Sequence, residues 1–425
     1  MARPSRTPRS FRPNPIAALA LLALFAPRAG AAGASAVPLG ARIAVSDCEG
    51  CLMDFPSVAG TPSGRFLAVW QSAQRLPPPH PSVRERLFAS WGAPRTAELA
   101  LDRRAVEQFD VQVAPTPQGN FVAVWSAVVG GESDVFAQRL SALGAPLGAV
   151  IRVSADPPRA PAAPSDFNPA VAVAADGGFA VAWMSLVPPS PAGPGSPPVL
   201  LSRRFDAAGR PLSSPVQLSD TLVSGRRASV CIDNAGRLVA TWVSLDGLFP
   251  FEPSHEGVAV RRATPAGQPL GPSIVVSPPA NESAAASVGC GPGSTFVVVW
   301  QGDRVIGSGR TALFARQFTR AARVFTPTLR VDTSAAQFPV NPAIAFDRGG
   351  NFIVVWEGDA PEGGQRISAR RFAFSGAPYG PEFVVAPVAT DIPAHPAVAT
   401  TGTAGAFVVL WRDGAVGLSG QRFTP

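Results

Sequence analysis

Apolar residues along this chain fall in short dense runs separated by polar and Gly/Pro-rich stretches, and no apolar stripe recurs at helical spacing over three turns. Seven runs share one form: GRFLAVW, GNFVAVW, GGFAVAW, GRLVATW, STFVVVW, GNFIVVW and GAFVVLW. They end at Trp70, Trp125, Trp183, Trp242, Trp300, Trp356 and Trp411, spaced by 55, 58, 59, 58, 56 and 55 residues. Within Phe121-Val122-Ala123-Val124-Trp125, Phe and Trp fall on one side of a strand and Val on the other. Neither side can be left to water, so the pattern predicts strands buried on both faces.

Each run sits inside a larger repeat. A short apolar strand precedes it, clearest as Asn168-Pro169-Ala170-Val171-Ala172-Val173 and Asn341-Pro342-Ala343-Ile344-Ala345-Phe346. A turn such as Ala175-Asp176-Gly177-Gly178 joins the two. A variable loop leads to a third strand (135–140, 200–205, 313–318, 367–372), and a Gly/Pro turn to a fourth (148–154, 214–220, 272–277, 381–386). Four short strands joined mainly by tight turns make one propeller blade, and blades bury both faces only by packing on neighbours. The expected fold is therefore all-β: a seven-bladed β-propeller of four-stranded antiparallel blades. The last unit ends after its third strand at Gln421-Arg422-Phe423, while Leu39 to Ser46 matches a fourth strand. Joining the two completes seven blades, so an N-terminal strand is expected to close the ring. Trp91, outside the periodic series, is expected in the core of the first blade's third strand.

These repeats resemble the tryptophan-containing blade repeats of secreted bacterial propeller proteins, over nearly all of residues 40–425. The resemblance implies the architecture and no particular activity. Likeness to the sialidase Asp-box, SxDxGxxW, is weak, because Asp176 lies seven residues before Trp183 where that motif has five.

The first residues read as an export signal. Arg3, Arg6, Arg9 and Arg12 precede the apolar run Ile16–Ala26, and small residues follow around Ala29-Gly30-Ala31. That run is shorter than the roughly 20 residues that cross a bilayer. The expected organisation is a signal peptide at 1–31, a short linker at 32–38 and one propeller domain at 39–425, secreted or periplasmic, monomeric and not embedded in membrane. The formal charge of +7 falls to 7 − 5 = +2 once those four arginines and Arg28 are removed, too small to argue for a nucleic-acid partner. Four cysteines are too few for a disulfide-built scaffold. Cys48 and Cys51 form a CxxC with no following helix, so either a structural disulfide or free thiols is expected. Cys231 and Cys290 fall one alignment column apart in neighbouring first strands, where a disulfide is geometrically conceivable. No spacing suggests a metal or a cofactor.

The loops from second to third strand and from fourth strand to the next blade vary most, so a protein or glycan partner is expected on the face that bears them. By alignment the head of each first strand is Phe55, Asp110, Asn168, Arg227, Ala285, Asn341 or His395, expected at the mouth of the central channel. Asn168, Asn341 and His395 each precede Pro, which also fits a simple backbone role at the strand entry. Phe249, Phe251 and His255, with Asp246 and Glu252, crowd one long loop and are a second candidate surface for stacking on a sugar or anchoring a protein. No nucleophile pairs with a base, and Asp110 is the one acid in the inner ring, so a hydrolase would need a second acid such as Glu252 or Asp54. The favoured reading is an exported, non-catalytic binding or scaffolding protein. The alternatives are a polysaccharide hydrolase or lyase acting at the channel mouth, and a structural surface component.

Overall fold

The structure, a computed structural model, describes residues 36–48, 51–74, 81–104, 107–154, 165–186, 198–224, 227–245, 256–277, 283–303, 311–333, 338–387, 393–402, 405–414 and 417–425. Seven antiparallel sheets follow one another along the chain. They span 51–100, 108–152, 165–217, 222–275, 283–330, 340–386 and 393–423, the last of these joined by the strand Ile43–Ala44. We call them blades 1 to 7. Ile43 pairs with Gly420 and Ala44 with Ser419, so this short N-terminal strand lies fourth in the sheet built by the last three strands of the chain. The one helical segment among the described residues is a 3-10 turn at Pro292–Ser294.

The tryptophans hold equivalent places in the second strands, and all seven are essentially inaccessible. Seven apolar clusters each join a pair of neighbouring blades. One unites blade 7 with blade 1 through Ile43, Val45, Met53, Phe66, Trp70, Leu410 and Leu418. The sequence pattern is explained by this arrangement: a strand apolar on both faces is sandwiched between two sheets. In five blades a Phe opening the second strand stacks on a Phe closing the third, at 4.8–5.1 Å between ring centroids.

A polar column adds to the apolar packing. Opposite the residue two before each Trp stand Arg86, Gln138, Arg203, Arg261, Arg316, Arg370 and Gln421. Each of the five arginines donates to a backbone carbonyl at the outer edge of the preceding blade: to Val45, Val153, Leu218, Val276 and Val331 at 2.7–3.2 Å. Arg86 reaches Val45, just beyond the N-terminal strand, so the bond made between ordinary neighbours also spans the junction of blades 7 and 1. Charged donors make the stronger class of hydrogen bond.

Three expectations need correction. Three fourth strands are shorter than expected, Ile151–Arg152, Val216–Gln217 and Phe383–Ala386, whereas that of blade 4 runs longer, over Pro269–Val275. In blade 4 the first strand is split into Leu222–Val223 and Ser229–Ile232, both paired to the Trp242 strand. Trp91 is not core: the third strand ends at Phe88, and Trp91 lies in the following turn, 67 % exposed. That turn, closed by Ala89 N–H to the Ala93 carbonyl, places Gly92 at φ 94°, a conformation glycine adopts freely.

Candidate functional site: the channel mouth

The seven column residues do not begin the first strands; in six blades each sits at a bulge inside one. Registers skip a residue between Asp54 and Ser57, Phe109 and Gln112, Phe167 and Ala170, Ala284 and Ala286, Val340 and Ala343, and Ala394 and Ala397. At each bulge one residue is left-handed: Phe55, Asp110, Asn168, Ala285, Asn341 and His395 have φ between 46° and 58°. An extra residue in one strand goes unpaired and re-aims its side chain. Proline follows at four of the six, where the interrupted ladder needs no N–H. Asn, Asp and His tolerate the left-handed region best, so the backbone alone accounts for part of the column's polar character. Phe55 and Ala285 hold the same conformation without that tolerance, which marks the bulge as a demand of the fold.

All seven, Arg227 included, line one cavity of about 480 Å³ around the axis. Ser57, Gln112, Ser229 and Ser287 line it as well, two positions further along the first strands. Ser57 and Ser229 also accept backbone N–H groups of the next blade, from Val113 at 3.2 Å and Val288 at 3.1 Å.

Two polar clusters stand at this mouth. In the first, Arg227 Nη2 donates to Asp110 Oδ1 at 3.3 Å, and the Asn168 N–H donates to Asp110 Oδ2 at 3.3 Å. The Arg227 guanidinium also lies 5.1 Å from the Phe55 ring centroid, so this side chain from blade 4 touches blades 1 and 2. In the second, the His395 ring pairs through Nδ1 with Asp54, and its backbone N–H donates to Glu357 at 2.5 Å. Asn341 Nδ2 donates to Glu357 at 2.7 Å, and Arg412 Nη1 to Asp54 at 3.3 Å. The His395 ring stacks on Phe55 at 4.4 Å, linking the clusters. Burial would lift the Asp54 carboxyl, but the hydrogen bond and charge of His395, the Phe55 N–H and Arg412 together hold it below the ordinary carboxylate range.

A second cavity of about 480 Å³ opens between the turns that join first and second strands, with Asp233 and Asp347 in its lining. Those carboxylates are spent locally. Asp233 accepts from the backbone of Ala235 and Arg237 and pairs with Arg237, and Asp347 accepts from Asn351. The bulge-lined mouth is thus the end with chemistry to offer.

The chain has broad structural counterparts. No family model matches the sequence, and no curated protein matches it. A protein of unknown function from Dyadobacter fermentans is 10 % identical, over 92 % of this chain and 98 % of that one, with a TM-score of 0.54. An ulvan polysaccharide lyase is 8 % identical, over 92 % and 94 %, with a TM-score of 0.51. An α-L-arabinanase of Penicillium chrysogenum is 10 % identical, over 92 % and 99 %, with a TM-score of 0.47. At such identities the likeness is one of fold alone.

The seven residues aligned in sequence line one cavity, though six of them lie inside the first strands and not at their heads; Glu357 and Arg412, which bond to this cluster, were not anticipated. Both are the residue directly after a blade tryptophan, a column that reads Gln71, Ser126, Met184, Val243, Gln301, Glu357 and Arg412. Asp54 was named as a second acid, but it stands behind His395 and does not line the cavity. Phe249, Phe251 and His255, with Asp246 and Glu252, lie outside the described residues. All four cysteines are paired, Cys48 with Cys51 and Cys231 with Cys290. The second disulfide ties the first strands of blades 4 and 5.

Proposed function

We propose that this chain is an exported binding protein that holds a glycan at the channel mouth without transforming it. The observation that carries the reading is the single cavity lined by all seven column residues, five of them polar or charged and already fixed by hydrogen bonds to one another or to neighbouring blades. Its size falls within the roughly 300–1,000 Å³ typical of small-ligand sites. A polysaccharide lyase among the solved neighbours of the same fold is in keeping with a glycan-related role.

Hydrolysis is disfavoured by the lining. A glycosidase works with two carboxyl groups flanking the scissile bond. Asp110 is the one carboxylate among the residues that line this cavity. One arrangement favours a second reading, a lyase: with Nδ1 on Asp54, the other nitrogen of His395 could accept a proton.

A glycan array probed with the mature chain and with an Asp110→Ala, Asn341→Ala double variant tests the proposal. Glycan binding lost in the double variant is expected. Binding that survives removes the mouth as the site, and the appearance of unsaturated products in the same incubations replaces the binding reading with the lyase.

A further inference from the structure

We infer that the group recognised at the mouth is anionic, a sugar carboxylate or sulfate ester, and that Arg227 takes it; this rests on the glycan reading above. Each carboxylate of the two clusters is already supplied with donors. Asp54 has His395, Arg412 and the Phe55 N–H. Glu357 has Asn341 and the His395 N–H, and Asp110 has Arg227 and the Asn168 N–H.

The donors are not consumed in the same way. A guanidinium carries five N–H groups in a planar fork. Among the described residues Arg227 commits one of its nitrogens, in a single contact of 3.3 Å to Asp110. It lines the cavity with its side chain 27 % exposed. Arg227 is therefore a charged donor with uncommitted N–H groups at the cavity wall. A hydroxyl must both give and take a hydrogen bond, whereas a carboxylate or sulfate only accepts and can engage the fork through two parallel bonds. The Asp110 contact is long and partly exposed, so re-aiming Arg227 toward a ligand sacrifices little. The Phe55 face beneath the guanidinium supports the flat cation while it does so.

The experiment is calorimetric titration of the mature chain with an oligouronate, a sulfated neutral oligosaccharide and the same oligosaccharide without sulfate. Arg227→Gln, Arg227→Lys and Asn341→Ala are titrated alongside, with near-ultraviolet circular dichroism confirming that each is folded. An acidic oligosaccharide is expected to bind more tightly than the uncharged one and to lose on the order of 10- to 100-fold in affinity in Arg227→Gln. Arg227→Lys should recover only part of it, and the uncharged sugar should be indifferent to the Arg227 changes. The carboxylate and sulfate arms identify which anion is preferred. Equal binding of charged and uncharged sugars, unaltered in Arg227→Gln, overturns the anion inference and leaves the glycan reading standing. Acidic binding that ignores both Arg227→Gln and Asn341→Ala, or no binding by any sugar, overturns both.

Discussion

Glu85 offers a direct test of the blade interior. It lies opposite Val69, at the position filled in the other blades by Ala137, Ser202, Val260, Ala315, Ala369 and Gly420. A column of small or apolar residues thus holds one carboxylic acid. The residue is 4 % exposed and its Oε2 is buried without a hydrogen-bond partner. Burial pushes its pKa from 4.5 up to about 8. Because the folded pKa is raised, ionisation favours the unfolded chain: the penalty is absent below 4.5, grows as pH rises and levels off above about 8. With 1.36 kcal/mol per pH unit, it reaches roughly 3 kcal/mol at pH 7 and roughly 4 kcal/mol at pH 8. Glu85→Gln keeps the shape and cannot ionise. Urea unfolding followed by tryptophan fluorescence should find it close to wild type at pH 5 and more stable by roughly 3–4 kcal/mol at pH 8. A stability difference that does not change between pH 5 and pH 8 would refute the reasoning, since it would mean that Glu85 is solvated or paired.

Three further outcomes follow from other parts of the molecule. Arg86→Ala, which strips donors from the Val45 and Thr96 carbonyls and from Asp47, should lower the unfolding free energy by about 2–3 kcal/mol in urea titrations; an effect under 0.5 kcal/mol would mark the bond between blades 7 and 1 as incidental. Replacing Cys231 and Cys290 together by Ser should cost about 2–4 kcal/mol by the same titration, and the untreated chain should show no reactive thiol under denaturation. Asp54 should make the mouth acid-labile. Its folded pKa is depressed, so its contribution is present above 3.8 and lost as pH falls through the folded value; Asp54→Asn should flatten that acid limb, and an unaltered limb would locate acid sensitivity elsewhere.

The architecture was legible because each blade must bury two faces, and that demand writes the same Trp-terminated run seven times. The mouth column was legible for a related reason: Pro marks four of its positions and alignment supplies the others. What could not be read was the bulge. One extra residue inverts the alternation of side chains beyond it, so counting in twos from Trp356 or Trp411 gives no sign that Glu357 and Arg412 stand level with His395 and Asp54. Trp91 misled for the opposite reason, since its size suggested burial. The comparison that counts is with its turn equivalents, because Leu143, at the same place in blade 2, is 65 % exposed. The arginine column was visible as repeated third-strand Arg, but its targets are backbone carbonyls in a preceding blade, which no side-chain pattern reveals.

The same bulge also decides how a near-symmetric ring can recognise one thing. Packing holds the tryptophan column invariant across seven blades, so it cannot distinguish one side of the axis from another. The bulge column and the column after each Trp escape that constraint, and there the blades differ. Acid and base gather on blades 2, 4, 6 and 7, while blade 1 presents Phe55 and Gln71, blade 3 Asn168 and Met184, and blade 5 Ala285 and Gln301. A ligand held by Arg227 on one side, with His395 fixed by two carboxylates on another, has a single orientation available and no sevenfold choice. Titration should therefore give one ligand per chain; a stoichiometry near seven would place recognition on a feature repeated in every blade and not at the mouth.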